Sequence, residues 1–300
     1  MAAHYSVTTD FIYFQARENG LSFAVQNKGN ASALSDGKSK NPDFCWDPGF
    51  KVSFGYFFHH DEWSLYLNFL HFHTRITDWY ASKEDAFFFP TWSHLATHSG
   101  FVEDVRNRWR LHLGLLDLLL KRPVSISECL HLSLHAGLRY AEVRQKTRID
   151  YFGGTLFPEG QDDIDMKNKF WGIGPRVGVD GIWNFLADLG LYFNAAVSSP
   201  YGFLYVHQDE NSDLVEEEYR YFKTFHTLRI ITEMAAGLRY AHDLRCHNVT
   251  FDIHGGYEIF FLFGQNQFSR FLSLPATGNF ASNSGDLVLH GFSLGMNVEF

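Results

Sequence analysis

Apolar and polar residues alternate along most of this chain with a period of two, the pattern of β-strands that carry one apolar face. In residues 291–300 every second residue is apolar, and glycine, serine, asparagine and glutamate stand between them. The same alternation runs through 130–140, 171–180 and 189–198. The pattern predicts ten strands, at 6–17, 44–58, 62–78, 103–120, 129–151, 168–183, 187–207, 222–241, 247–262 and 286–300.

The connections between these strands alternate in length. Short turns follow the even-numbered strands, and long loops follow the odd ones, at 18–43, 79–102, 152–167, 208–221 and 263–285. An even strand count with short turns on one side and long loops on the other is typical of bacterial outer-membrane barrels, with the short turns in the periplasm. Several strands exceed 12 residues, whereas strands of globular proteins usually have about 5–6.

We therefore predict an all-β fold, a closed antiparallel transmembrane β-barrel of ten strands. The count rises to twelve if Leu21 to Asn27 forms an extra hairpin with part of a long loop. A soluble β-sandwich also alternates and is the competing architecture.

Composition narrows the class of protein further. Aromatic residues make up 17% of the 300 residues, which suits the aromatic girdles of a membrane barrel. The 34 acidic against 25 basic residues give a net charge of −9, so the basic footprint of a nucleic-acid-binding protein is missing. The best apolar run, Leu113 to Leu120, is interrupted by Asp117 and is shorter than the roughly 18 residues of a membrane helix. Nucleic-acid binding and helical membrane spanning are therefore excluded.

Charged residues follow the polar positions of the predicted strands. An arginine on the lipid face near the bilayer midplane would cost about 2–4 kcal/mol, so we expect these residues to face the lumen. The predicted pore-lining residues are Lys51, Arg108, Arg110, Arg139, Arg176, Arg229, Arg239, Glu233, Asp252 and Glu258. Barrels of about eight strands are filled by their own side chains, while open channels take about 16–18, so ten strands predict a narrow lumen that arginines could plug.

Several segments also match one family in order and spacing. They are Trp46 to Lys51 with Asp61 to Tyr66, Leu116 to Pro123 with Leu132 to Lys146, Phe170 to Gly178, Asn266 to Phe268, and Gly285 to Phe300. Together they resemble the Legionella-type outer-membrane proteins, whose relatives include major-outer-membrane-protein-like porins of chlamydia-related bacteria. The turn His59 to Glu62 departs from the more acidic turn expected there. The resemblance implies an outer-membrane barrel with pore-forming activity.

Signals for other chemistry are weak. His71 and His73 share one strand face, but no third metal ligand stands at a diagnostic spacing. Gly172 to Gly174 lies inside a strand with no following helix, so it is not a dinucleotide fingerprint. Ser133 lies between two histidines, yet that face points to the lumen and not to lipid. We therefore predict no catalytic, metal or cofactor-binding residues and no enzymatic activity.

Cysteine usage and the first residues bear on the compartment. Cys45, Cys129 and Cys246 are an odd number, so they cannot all pair within the chain. They are either scattered thiols or links to neighbours in an oxidising envelope. Residues 1–4 lack the basic and apolar parts of a secretory signal, so the protein is either cytosolic or a mature chain with a restored start codon. Because the barrel pattern favours the second, we expect a mature chain of the bacterial outer membrane.

Three functions remain open at this stage. The leading hypothesis is a porin, a single barrel domain over residues 1–300 that passes small hydrophilic solutes or ions, with charged rings setting selectivity. The alternative is a structural or adhesive envelope barrel with a plugged lumen, acting through cysteine cross-links and external loops such as Phe87 to Trp92 and the acidic Gln208 to Tyr219. The third is a soluble lipocalin-like binder. Expected partners are outer-membrane lipid, small hydrophilic solutes and a second copy or cysteine-linked envelope neighbour.

Overall fold

The computed structural model describes residues 5–28, 37–58, 62–82, 86–93, 100–186, 188–213, 219–244, 249–271, 280–282 and 284–300. Within these residues every regular element is a strand, and no helix there is long and apolar enough to cross a membrane. The strands are β1 (Tyr5–Glu18), β2 (Ala24–Lys28), β3 (Gly37–Lys40), β4 (Trp46–Phe57), β5 (Ser64–Ala81), β6 (Ala86–Pro90), β7 (Asp104–Ser125), β8 (Leu130–Gly153), β9 (Phe157–Asn184), β10 (Leu189–Ser198), β11 (Tyr201–Ser212), β12 (Tyr219–Leu228), β13 (Ile231–Leu244), β14 (Val249–Asn266), β15 (Ser269–Phe271), β16 (Phe280–Ser282) and β17 (Gly285–Glu299).

Twelve of these strands close into an antiparallel ring with ten positions. Strands β10 and β11 together occupy one of the ten positions: they follow each other along the same line, with a break at Ser199 and Pro200, and both pair with β9. Strands β12 and β13 form the neighbouring position, broken at Arg229 and Ile230. The pairing of β1 with both β17 and β4 joins the two ends of the chain and completes the ring. The predicted ten-stranded closed barrel is therefore confirmed.

The segment from Leu21 to Asn27 does form strand structure, but outside the ring. Strand β2 pairs with β3 and with β6, which gives a separate three-stranded sheet at the long-loop end. Strands β15 and β16 form a second small sheet. The twelve-stranded barrel is therefore wrong.

Two predicted long loops are shorter than expected. Strand β8 runs to Gly153 and β9 begins at Phe157, so most of 152–167 is strand. Strand β11 continues to Ser212, where it still pairs with Asp162 of β9. Polar residues beyond the membrane remain in the ladder because their backbone groups still pair there. The turn residues 59–61, the acidic residues 216–218 and Cys246 lie outside the described residues.

An apolar belt surrounds the half of the barrel nearest the short turns. On β9 the outward residues between Trp171 and Trp183 are apolar or glycine, and Ile173 is 53% exposed. The twelve residue steps from Trp171 to Trp183 measure about 40 Å along the strand, which rises about 28 Å when tilted about 45°. Apolar bands of outer-membrane barrels are about 25 Å tall and edged by aromatic residues. This half is the membrane section of the barrel.

Beyond Trp171 the two faces of the strands exchange polarity. Inward residues of β9 change from Arg176 to the fully buried Phe170 and Met166, while outward residues change from Ile173 to Lys169. The outward residues also become polar on β7 and β8, whereas on β14 they stay apolar as far as Phe263. The interior of this half is an apolar core. We call this half the external section: polar outside, apolar inside, as in a water-soluble barrel.

Candidate functional site

The interior of the membrane section holds a polar cavity of about 340 Å³. Its walls are the inward faces of the ring, where period two places every second side chain inside. Small inward residues leave the space: a Cβ at Gly237 would collide with the backbone of β14 and with the ring of Tyr192. The charged lining residues are Asp10, Lys51, Asp117, Lys121, Arg139, Arg176, Asp180, Glu233, Arg239, Asp252 and Glu258, with His135 and His254.

One ion-pair network crosses this cavity from β7 and β8 to β13. Arg139, only 1% exposed, donates from Nε and Nη2 to the two carboxylate oxygens of Asp117, each at 2.6 Å. Its Nη1 donates to Glu233 and to Ser198 Oγ. Arg176 Nη2 donates to Glu233 at 2.9 Å and its Nε lies 3.6 Å from Asp117. Two arginines and two carboxylates thus neutralise each other away from water, as buried charges require.

A second network lies on β1, β4, β13 and β14. Lys51 Nζ donates to Glu258 at 2.6 Å and lies 3.9 Å from Asp10. His254 bridges two carboxylates, with Nε2 2.7 Å from Asp10 and Nδ1 3.2 Å from Asp252. Arg239 also donates to Asp252.

A third set of pairs lies nearer the short turns. Lys121 Nζ donates to Asp180 at 2.7 Å, and Asn194 donates to the other oxygen of that carboxylate at 2.9 Å. His135 Nδ1 lies 3.5 Å from the same carboxylate. The three networks fill the cavity with paired charges and leave little freely solvated charge.

The structure brings seven of the ten predicted pore-lining residues to this cavity. They are Lys51, Arg139, Arg176, Glu233, Arg239, Asp252 and Glu258. Arg229 also faces inward, but it lies beyond the cavity, 7% exposed and 6.0 Å from the ring of Phe170. Whether the seven line a conducting pore stays a prediction.

The inward orientation expected for Arg108 and Arg110 is wrong. Both share the outward face of β7 with Leu116, which is 41% exposed, while the intervening Trp109 and Leu111 are fully buried in the interior. Arg108 pairs with Asp150 at 2.6 Å on the outer surface. The reason is the exchange of polarity: β7 has left the membrane at this point, so water favours arginine outside and the core favours leucine inside.

Several residues of the cavity were not among the predicted pore-lining residues. Asp117 lies inside a run of leucines. Because a carboxylate is costly in lipid, its presence in this run was the signal that it faces the interior. Asp10 lies in the middle of β1 and Lys121 near the end of β7, and their ion pairs, like that of Asp180, depend on registers between distant strands. With these included, five basic and six acidic side chains line the cavity, apart from two histidines. The expected basic excess of the lumen is therefore absent from the cavity lining among the described residues.

An apolar layer separates this cavity from the outside. Phe14, Phe72 and Phe260 meet in the interior with ring centroids 5.8–6.0 Å apart, and none is more than 4% exposed. Above them Trp109 packs edge-on against Phe44 at 5.4 Å. Interiors packed in this way exclude water and ions.

Acidic side chains are enclosed near the outer end of the core. Asp162 is fully buried close to Glu210, and Ser93 Oγ donates to Glu210 at 3.1 Å. Burial, and then the negative charge of Glu210, raise the pKa of Asp162 to about 8. Glu18 accepts a 2.7 Å bond from Gln145, and burial raises its pKa to about 8. Glu210 belongs to the segment expected to be a solvated acidic loop, and that expectation is wrong for this residue.

The described residues contain no group of three or more His, Cys, Asp or Glu side chains arranged to hold a metal ion. Most of their histidines instead bond to carboxylates or lie against aromatic rings, as His71 and His112 do on the outer face at 4.8 Å. The ring of ten strands, its apolar outer belt and its charged interior define a bacterial outer-membrane β-barrel.

The comparisons with known proteins give the family. The family described as Legionella pneumophila major outer membrane protein precursor matches residues 1–300. This chain belongs to that family, and its place is the bacterial outer membrane. The resemblance noted in the sequence is thereby confirmed. No curated protein matches the chain in sequence.

Solved structures with a similar course of the chain have low sequence identity to it and low TM-scores. The outer-membrane protease OmpT from Escherichia coli is 11% identical, with 99% of this chain and 97% of that chain covered and a TM-score of 0.46. The attachment invasion locus protein Ail of Yersinia pestis is 12% identical, with both chains fully covered and a TM-score of 0.26. The toluene transporter TodX of P. putida is 8% identical, with 99% and 89% covered and a TM-score of 0.29. These likenesses are too low to carry an argument about activity.

Proposed function

We propose that this protein is a structural barrel of the outer membrane whose lumen is closed in the folded state, and which acts through its external section and through envelope neighbours. The observation that carries the proposal is the apolar layer of Phe14, Phe72 and Phe260 across the interior. A hydrated path for ions would have to replace these contacts with water, and burial of one such ring is worth about 1.5–3 kcal/mol. The paired charges beneath the layer add a second obstruction. Within this proposal the barrel has no enzymatic activity.

The cysteines support links to neighbours at one position in particular. Cys129 is a free thiol in the exposed turn between β7 and β8, on the short-turn side of the barrel. Cys45 is half-buried, and its thiol donates to Asp47 at 3.3 Å. Of these two, Cys129 is therefore the thiol that a neighbouring envelope protein or a second copy would reach.

A narrow porin is the second candidate, and the cavity of about 340 Å³ favours it. In that case the apolar layer would open, and small hydrophilic solutes or ions would pass the charged rings that the sequence predicted. With five basic and six acidic lining residues, such a pore would have no strong preference for anions.

Single-channel recording separates the two candidates. The full chain is refolded in detergent, its folding is checked by its heat-dependent shift on a gel, and it is added to a planar bilayer. We expect no discrete current steps from the folded barrel, with a known porin as the positive control. Discrete steps whose size follows salt concentration would overturn the closed-lumen proposal and establish the porin.

A further inference from the structure

One side of the external section carries a dense set of outward basic side chains. They lie on four adjacent strands, β5, β7, β8 and β9, directly beyond the apolar belt. Between Glu142 and Asp150 on β8, and at the positions of β5, β7 and β9 in register with them, nine outward residues are basic and four are acidic. We call the nine the basic patch: Arg75, Arg106, Arg108, Arg110, Arg144, Lys146, Arg148, Lys167 and Lys169.

The strand register places like charges directly opposite one another. Arg75 pairs in register with Arg110, Arg110 with Lys146, and Lys146 with Lys167. Neighbouring strands lie about 4.8 Å apart, so this row of four cations spans about 15 Å. Like charges directly opposite in a sheet are destabilising, and an anion lying along the row would remove that repulsion.

Part of the patch lacks an acidic partner within the protein. Lys146 has Asp165 at 3.2 Å, and Arg144 has Glu142 at 2.6 Å. Arg75, Arg110 and Lys167 are exposed and make no ion pair with any residue that the structure describes. Cations are therefore available to an external anion, although the whole chain has a net charge of −9.

The position of the patch selects the kind of anion. On β9, Lys169 and Lys167 follow Trp171, the aromatic residue at the outer edge of the belt. On β7, the belt residue Leu116 is followed by Gly114 and His112, and then by Arg110. The patch thus lies at the depth of the headgroups of the outer leaflet, with acyl chains against the belt below it. Clusters of Lys and Arg at this depth recognise anionic lipid headgroups, and guanidinium groups bind phosphate bidentately.

We infer that the basic patch binds the phosphate groups of a phosphorylated glycolipid of the outer leaflet, with Arg75, Arg110 and Lys167 as its principal contacts. The occupant is a lipid and not a soluble anion because the cations of the patch lie directly beyond the lipid-facing belt. Bound lipid would cover one side of the barrel and restrict rotation of the barrel about the membrane normal.

The test compares two variants with the same change in charge. Arg75→Gln/Arg110→Gln removes two cations of the patch, and Lys38→Gln/Arg122→Gln removes two exposed cations elsewhere. The full chain is refolded in phosphatidylcholine nanodiscs, and binding of fluorescent lipid A, a bis-phosphorylated glucosamine lipid, is titrated. A surface Lys or Arg contributes about fivefold to such binding, so the patch variant should bind roughly 25-fold more weakly and the control should match the wild type. The gel shift on heating confirms folding of each variant.

Two further arms distinguish the lipid from other anions. Lipid A stripped of its phosphates should bind as weakly to wild type as intact lipid A does to the patch variant. Inorganic phosphate at matched ionic strength should not compete. Equal binding by wild type and patch variant, no preference for the phosphorylated lipid, or displacement by inorganic phosphate would each overturn the inference.

Discussion

Replacing Arg139 by methionine tests the buried network of the cavity. The guanidinium is 1% exposed and holds Asp117 through two bonds of 2.6 Å and Glu233 through another. In Arg139→Met only Arg176 remains between the two carboxylates, 2.9 Å from Glu233 and 3.6 Å from Asp117. One negative charge is then left uncompensated in a closed interior. Breaking a buried pair by removing one partner costs about 3–5 kcal/mol of unfolding free energy.

The measurement is urea unfolding of the refolded chain in short-chain phosphatidylcholine vesicles, followed by tryptophan fluorescence at fixed pH. Arg144→Met is the matched control, because that arginine is exposed and its pair with Glu142 should contribute about 0–1 kcal/mol. The double variant Arg139→Met/Asp117→Asn restores charge balance and should recover more than half of the loss. A loss below about 1 kcal/mol for Arg139→Met, or a double variant no better than the single one, would refute the buried network.

Two further predictions concern groups outside the membrane section. The pKa of Asp162 is raised to about 8, so this group destabilises the folded state progressively as pH rises from about 4 to about 8; Asp162→Asn should raise the melting temperature at pH 9 and change it little at pH 4. The exposed Glu159→Gln is its control, and equal pH dependence in wild type and Asp162→Asn would contradict the assignment. In a Cys246→Ser background, Cys129 should react with a maleimide at least about tenfold faster than the half-buried Cys45. Multimers on a non-reducing gel should disappear with Cys129→Ser, and their persistence in that variant would argue against links through this turn.

The fold was largely predictable because lipid imposes one rule on every strand of the membrane section. Lys51, Arg139 and Arg239 were correctly oriented because they lie where apolar side chains must face outward. Arg108 and Arg110 were wrongly assigned to the lumen because the prediction assumed that polar residues face inward beyond the outer edge of the apolar belt as well. There the environments are reversed: outward along β7, the last apolar outward residue of the belt, Leu116, gives way to Gly114, His112 and then Arg110.

The ion-pair partners could not be predicted, for a different reason. Asp117 and Arg139 are opposite each other in the β7–β8 hairpin, but Glu233 reaches them from β13, 94 residues beyond Arg139, through the registers of the intervening strands. A shift of two residues in any of them keeps the alternation unchanged and separates the charges. Loop lengths failed in a similar way, since nothing in the polarity of 152–167 distinguishes a solvated loop from a strand above the membrane. The apolar layer followed from neither pattern, because sequence interpretation assigned one polar interior to the whole barrel.

The charged outer face of the external section constrains how the barrel reaches its final position. Each of the nine basic side chains of the basic patch would cost about 2–4 kcal/mol against hydrocarbon at the bilayer midplane. A finished external section therefore cannot pass through lipid from the periplasm, and its strands must cross with their polar faces shielded. Its apolar core can close only after they emerge. Burial of the apolar side chains on the far side of the membrane then stabilises the strands that have crossed. This burial drives the strands outward during assembly and opposes their return.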